Sequence, residues 1–172
     1  ISGSAYDFSA TSTNLVAMPL FHVGGMGYGL SAFFHGGHTV LLKEVEPKLL
    51  VSSLEFFKIT HVFLVPAVLA MILDTTQIQD RDFSNLELLV YGAAPISESL
   101  LENALQILGC NFLQAYGMTE TAGTIVTLPP KDHDLRGNEN KILRSCGKVL
   151  PGVERRIVDP KTKKTNVAVK QA

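Results

Sequence analysis

The chain has 172 residues, long enough for one domain with a buried core. Its hydrophobic share is 46%, its charged share of 18% lies below the usual value of about 25%, and its net charge is −1. No basic patch dominates, which gives no support for a nucleic-acid partner; no uncharged apolar run reaches the ~18 residues of a membrane span; and the two cysteines, Cys110 and Cys146, supply neither a disulfide framework nor a metal-ligand spacing.

Low charge together with a positive mean hydropathy predicts faces that other structure covers. No signal peptide or N-x-[ST] acceptor is found, so a reducing, cytoplasmic setting is the default expectation. The chain starts at Ile1 without a methionine and stops inside an apparently unfinished segment, 167–172, so an excerpt of a longer protein is expected.

Residues 1–13 are small and polar and read as a lead-in. A buried strand is predicted over 15–20, closed by Pro19, and Phe21-His22-Val23-Gly24-Gly25 follows as a glycine-rich loop. The apolar stretch 26–34 reads as a helix despite its glycines. His35-Gly36-Gly37 is a turn, and 39–42 a second strand. Pro47 suits the first position of a helix over 47–58, with Leu50, Leu54 and Phe57 on one face. A third strand over 61–65 leads past Pro66 into a helix over 67–73, and 74–85 are a polar connection.

The fourth strand, 86–91, ends in the turn Gly92-Ala93-Ala94-Pro95. The next helix is the most clearly marked: Ser97 can cap it, Glu98 suits its first turn, Leu100, Leu101, Ala104, Leu105 and Leu108 form an apolar face, and Gly109 can end it. A fifth strand spans 111–116. Beyond Thr121 two strands, 124–128 and 153–158, are separated by turns at Pro129-Pro130 and Pro151-Gly152, with Asp159-Pro160 as a further turn and no helix, so a separate β layer is expected there. The division is thus a lead-in over 1–13, an α/β subdomain over 14–123 carrying the site loops, and a β-rich, truncated segment over 124–172.

Strands alternating with helices over 14–120 imply a mainly parallel, doubly covered sheet. Such sheets bind ligands beyond the carboxyl ends of their strands. Three unusual loops follow strands directly: Phe21 to Gly25, Gly92 to Pro95, and Gly117 to Glu120. With the strands parallel, all three share one edge, and that convergence is the case for a site.

The strongest stretch is Gln114-Ala115-Tyr116-Gly117-Met118-Thr119-Glu120. A tyrosine ring can cover the flat face of a base, a threonine hydroxyl can donate to a phosphate oxygen, and a glutamate can hold Mg²⁺, which prefers hard oxygen ligands and keeps several waters. A strand ending in a polar turn also accounts for a Thr-Glu pair taken alone. Gly92 to Pro95 offers backbone with little side-chain bulk, open to a flat ligand, and a tight strand-to-helix turn explains it equally well. His22 could line a pocket or orient a carboxylate, although a lone histidine is more often a packed structural residue. His35 and His38 lack a third metal ligand. No G-x-S-x-G elbow, Walker A loop or G-x-G-x-x-G is present, and Asp132, His133 and Asp134 read as a solvated loop.

Four stretches carry a family resemblance. Met18-Pro19-Leu20-Phe21-His22-Val23-Gly24-Gly25, Tyr91-Gly92-Ala93-Ala94-Pro95, Tyr116-Gly117-Met118-Thr119-Glu120 and Gly147-x-x-x-Pro151-Gly152-Val153 resemble, in order and rough spacing, the adenylate-forming superfamily, most closely its acyl-CoA synthetase (fatty-acid CoA ligase) branch. The resemblance runs from about Asn14 to Pro160. It implies the central part of a large N-terminal α/β domain and a two-step reaction in which ATP activates a small-molecule carboxylic acid as acyl-adenylate and coenzyme A then displaces AMP. It further implies that Tyr116 stacks on adenine, within a nucleotide-binding set of Gly92, Ala93, Ala94, Pro95, Gln114, Ala115, Gly117 and Met118. Thr119 would bond a phosphate, Glu120 would ligate Mg²⁺, His22 would sit near the acyl carboxylate, and Val23, Gly24, Met26 and Gly92 would border the acyl pocket. Peripheral membrane contact stays compatible with this reading.

Other adenylate formers remain open: aryl-CoA ligases, luciferase-like oxygenases and peptide-synthetase adenylation domains. So does a non-catalytic nucleotide-binding module, although a placed magnesium ligand speaks against it. The resemblance puts the phosphate loop before Ile1, and the ribose-binding aspartate, hinge and small C-terminal domain after Ala172. These 172 residues are therefore expected to have no ligase activity alone. Incubating the purified chain with ATP, an acid and coenzyme A checks this, and detectable acyl-CoA would contradict it.

Overall fold

The computed structural model describes residues 2–133 and 140–165. Among these, seven strands form one sheet, ordered β2-β1-β3-β4-β5-β6-β7. The strands are β1 (Thr13–Val16), β2 (His38–Leu41), β3 (His61–Leu64), β4 (Leu88–Gly92), β5 (Asn111–Met118), β6 (Gly123–Leu128) and β7 (Lys148–Val149). The first five pair in parallel, with Leu89 opposite Val62 and Phe112. The last two add antiparallel. Four helices, α1 (Val23–Phe34), α2 (Pro47–Phe56), α3 (Pro66–Leu73) and α4 (Glu98–Leu108), supply the crossovers.

Three of the four helices, α1, α2 and α4, start where a side chain accepts from their free N–H groups. The Glu46 carboxylate accepts from the backbone of Lys48 and Leu49, and Pro47 opens α2. Ser97 Oγ accepts from Leu100 N at 3.2 Å, and Gly109, at φ 62, closes α4 in the left-handed conformation that glycine takes readily. Pro66 opens α3 without a side-chain cap.

Alternation along the strands splits the core in two. Leu15, Val62, Leu64, Leu89, Tyr91 and Phe112 face α2, α3 and α4, whose Leu50, Leu54, Leu69, Ile72, Leu101 and Leu108 are buried against them. Val90, Leu88, Leu113 and Ala115 face the other way, against Tyr28 and Ala32 of α1 and Tyr6 and Phe8 of the lead-in. Fully burying one such large side chain is worth roughly 1.5–3 kcal/mol. The lead-in is thus part of the second core. The outward side of α1 is apolar and exposed at Met26, Leu30, Phe33 and Phe34, which fits a sequence of low charge.

The mixed α/β fold and parallel sheet agree with the sequence, and several details differ. The first strand stops at Val16, because Pro19 lacks an N–H and its carbonyl accepts from His22 N in a turn. The glycine-rich loop is shorter than expected, since α1 already begins at Val23. Phe57, expected on the buried face of α2, caps it and is half exposed. The connection over 74–85 is polar, yet Ile78 and Phe83 are buried in the core.

The strands after Thr121 extend the same sheet and do not form a separate layer among the described residues. Gly117 makes this possible: a Cβ there would run into the Gly123 carbonyl, so only glycine lets β6 fold back so closely on β5. Residues 153–158 form no strand; Val158 makes an isolated bridge with Thr165. Asp134 and the segment 167–172 lie outside the described residues.

His133 is not solvated. It is buried, its Nδ1–H donates to the Pro129 carbonyl at 3.0 Å, and its Nε2 accepts from the Tyr91 hydroxyl at 3.0 Å, a pattern that requires the neutral ring. Burial lowers its pKa, and burial does the same to His61, whose ring lies 4.9 Å from that of Phe8. Unfolded, both rings titrate near 6.5. Below that pH the unfolded chain takes up protons that the folded chain resists, so these groups make stability fall with falling pH; above it both states are neutral and the stability is fully present. The urea midpoint is therefore expected to drop as pH is lowered from 7 to 5.5, with His133→Asn flattening part of the slope. A midpoint constant over that range would contradict the buried neutral pair.

Candidate active site

The loops that follow β1, β4 and β5 meet at the carboxyl edge of the parallel strands. They enclose a cavity of about 720 Å³. Of the residues singled out in the sequence, His22, Val23, Gly24, Ala93, Ala115, Gly117, Met118, Thr119 and Glu120 line it. Met26, Gly92, Ala94, Pro95, Gln114 and Tyr116 are not among the lining residues.

Their positions explain the difference. Met26 lies on the outward side of α1 and is exposed. Gly92 ends β4 beneath the site, where a Cβ would collide with the Ala115 carbonyl of β5. Its lack of a side chain lets the two strands close up. Ala94 and Pro95 are exposed in the turn before α4, and the Tyr116 ring is exposed on β5. The Gln114 Oε1 atom is buried without a hydrogen-bond partner among the described residues.

His22 has two connected tasks. As the N-cap of α1 its Nδ1 accepts from Gly24 N at 3.1 Å. An accepting Nδ1 carries no proton, so the ring proton of the neutral form sits on Nε2, free to donate. The same residue stands at the positive end of a twelve-residue helix, a setting that favours a carboxylate or phosphate. Gly25 lets α1 start there, because a Cβ at that position would strike the carbonyls of Met18 and Pro19.

Thr119 and Glu120 sit on the tight turn between β5 and β6, which passes through left-handed Ala122 (φ 54) and Gly123 (φ 116). Thr121, which the sequence reading passed over, holds this turn. Its Oγ1 accepts from Met118 N at 3.0 Å, and its proton is shared between the carbonyls of Gly123 at 2.8 Å and Met118 at 2.9 Å. Ala93, also lining the cavity, is held at φ 66, a conformation that costs a residue with a Cβ of the order of 1–2 kcal/mol. Such strain in a site loop means that the surrounding contacts over-determine it.

The rest of the wall was not legible from motifs. Tyr6, Tyr28, Phe63 and Thr124 line the cavity as well. Tyr6 comes from the lead-in, and its hydroxyl pairs with Thr124 Oγ1 at 2.6 Å across 118 residues of sequence. No local pattern announces a contact of that separation. Burial raises the pKa of Tyr6 and Tyr28, so both phenols stay protonated. No cluster of three or more His, Cys, Asp or Glu that could hold a metal exists among the described residues. Glu120 is exposed at the cavity, and a single carboxylate suits Mg²⁺ when phosphate oxygens and waters complete its shell.

Comparison with known proteins adds the family. A family model described as AMP-binding enzyme matches residues 2–169. A fatty acid–[acyl-carrier-protein] ligase, ScoC of Streptomyces coeruleorubidus, is 35% identical over 153 residues, covering 89% of this chain and 29% of that protein. The amide bond synthetase McbA of Marinactinospora thermotolerans superposes with a TM-score of 0.82 at 30% identity, over 96% of this chain and 32% of that chain. The O-succinylbenzoate coenzyme A synthetase MenE of Bacillus subtilis, in complex with ATP and magnesium ion, gives 0.80 at 27% identity over 96% and 32%. Luciferin 4-monooxygenases and a medium/long-chain-fatty-acid–CoA ligase match too. The chain spans under a third of the length of the three proteins described.

The Thr121 contacts make a local prediction. Thr121→Val is expected to lower stability by about 1–2 kcal/mol and to speed hydrogen exchange at the Met118 amide, while Thr121→Ser retains both. Equal exchange in the Val and Ser variants would show that the hydroxyl does not hold the turn.

Proposed function

This chain belongs to the AMP-binding enzyme family, and from that premise we propose that the protein is an acyl-CoA synthetase. It activates a carboxylic acid with ATP to acyl-AMP and passes the acyl group to coenzyme A, in fatty-acid or related lipid metabolism and in a cytoplasmic setting. The observation that carries the reading is the meeting of His22, Ala93 and the Gly117–Glu120 stretch around one cavity at the carboxyl edge of the sheet. No described helix is long and apolar enough to cross a membrane.

In the first step a carboxylate oxygen attacks the α-phosphorus of ATP and pyrophosphate leaves. Negative charge builds on the phosphoryl oxygens as this happens, so fixed donors and a cation lower the barrier. Thr119 donates its hydroxyl to a phosphate oxygen. Glu120 would hold Mg²⁺, which would supply charge neutralisation at the phosphates. Tyr116, with Gly92 to Pro95 and Gln114 to Met118 around it, binds the adenine. Tyr116 is exposed on β5, a position from which an aromatic face can cover a base. The helix N-terminus and the Nε2–H of His22 hold the carboxylate of the acid, and Val23 and Gly24 border its chain. In the second step the coenzyme A thiolate attacks the acyl carbonyl and AMP departs with its electron pair.

A different acceptor is the second reading. It is favoured by a relative that loads a fatty acid on an acyl carrier protein and by a superposable amide bond synthetase. Both share the adenylation half-reaction, so the tests separate in sequence. Carboxylate-dependent ATP–pyrophosphate exchange by the full-length protein, across a panel of acids, is expected first. Glu120→Gln should reduce exchange by about 10²–10³-fold with a much smaller loss of nucleotide affinity. Thioester formed with coenzyme A supports the reading; exchange without it moves the acceptor to a carrier protein or an amine. Nucleotide binding with no exchange for any acid would leave a binding module instead.

A further inference from the structure

The adenylation motifs leave unexplained the part of the cavity wall formed by α1 and the lead-in. There the rings of Tyr6, Phe8 and Tyr28 pack edge-on or tilted, with centroids 5.2–5.9 Å apart, and Phe63 lies 5.7 Å from Tyr28. Tyr6 spends a hydrogen bond on Thr124, and Ser31 donates its proton to the Gly27 carbonyl at 2.8 Å. Tyr28 differs. It is 4% exposed, it lines the cavity, and its hydroxyl is buried without a hydrogen-bond partner among the described residues. An unpaired buried hydroxyl destabilises the fold. A phenylalanine would fill the same space among these rings without that cost.

We propose that Tyr28 is a specificity-determining residue whose hydroxyl donates a hydrogen bond to an oxygen carried on the acyl part of the substrate. The inference rests on the carboxylate-activating reading above. Position along the helix gives the scale: Tyr28 is six residues beyond His22, roughly 9 Å at 1.5 Å per residue. An acid whose carboxylate is held at His22 therefore extends its chain along α1 toward Tyr28. The phenol remains protonated at neutral pH because burial raises its pKa, which makes it a donor that calls for an acceptor. The oxygen is a hydroxyl, oxo or ether group in mid-chain or beyond, on an acid otherwise short enough to end at an aromatic wall. Reaching the buried hydroxyl requires the Tyr6–Tyr28 edge contact, 5.2 Å between centroids, to open.

The test uses chain-matched pairs of acids, each an alkanoic acid and its hydroxy or oxo analogue, with the full-length protein and its Tyr28→Phe variant. Two readouts are taken: ATP–pyrophosphate exchange and calorimetric binding of the acids. Wild type is expected to prefer the oxygenated member in kcat/KM, and Tyr28→Phe to cut that preference about tenfold. No preference in wild type, or the same preference in both proteins, overturns the proposal. So does a variant that gains stability with no change in selectivity, since the hydroxyl would then be an orphan with no substrate role. Exchange with no acid at all overturns the carboxylate-activating reading. The binding pairs still decide the subsite then: loss of discrimination in Tyr28→Phe supports it, and equal binding overturns it.

Discussion

The close approach of β5 to β4 is the constraint on which the site depends. Gly92 stands opposite Ala115 in the parallel register, and the carbonyl of Ala115 occupies the space a side chain at 92 would fill. Gly117 repeats the device two residues on, against β6. These two absences of a side chain let β4, β5 and β6 pair closely. The turn carrying Thr119 and Glu120 then reaches the same cavity as the cap of α1. Larger residues at these two positions would push β5 away, and the loops would part even with the other motif residues intact.

Polar groups around this core are treated unequally. His133 and Tyr91 satisfy one another through a single tautomer. Tyr6 and Thr124 pair across 118 residues of sequence. In contrast, both side-chain polar atoms of Asn14, the hydroxyl of Thr39 opposite it, and the hydroxyl of Tyr28 are buried without partners among the described residues. A core that satisfies buried groups at one point and leaves them unpaired at another is more constrained by function at the second, because an unpaired donor lowers stability. At Tyr28 the position is the wall of the cavity, and a ligand can supply the partner.

Much of this was readable in the chain. The helix over 98–108 announced itself through Ser97, a 3.6-residue apolar stripe and Gly109, and the structure uses each of them. The parallel sheet followed from alternation of element types, and with it the shared edge of the three loops. Expectations failed where local pattern met a tertiary partner. Residues 124–128 carry a strand pattern, but nothing local says whether that strand starts a new layer or joins the old sheet; Gly117 and Gly123 decide it by allowing close pairing. The Asp132-His133-Asp134 run looks like a solvated loop by composition, yet His133 is drawn under the sheet by Tyr91. Phe57 has the spacing of a core residue and is left outside because α2 ends before it.

By itself the sequence determined the α/β class, the order of the elements and the loops that carry chemistry, because short-range signals such as caps, turns and apolar periodicity are written in consecutive residues. It also carried the family's motifs. Tertiary structure alone decided which motif residues face the cavity. It turned Met26 outward, set Gly92 beneath the site, gave Thr121 the turn to hold, and brought Tyr6 and Tyr28 into the wall. Those outcomes depend on contacts between residues far apart in the chain, where sequence spacing carries no distance information and only the packed backbone does.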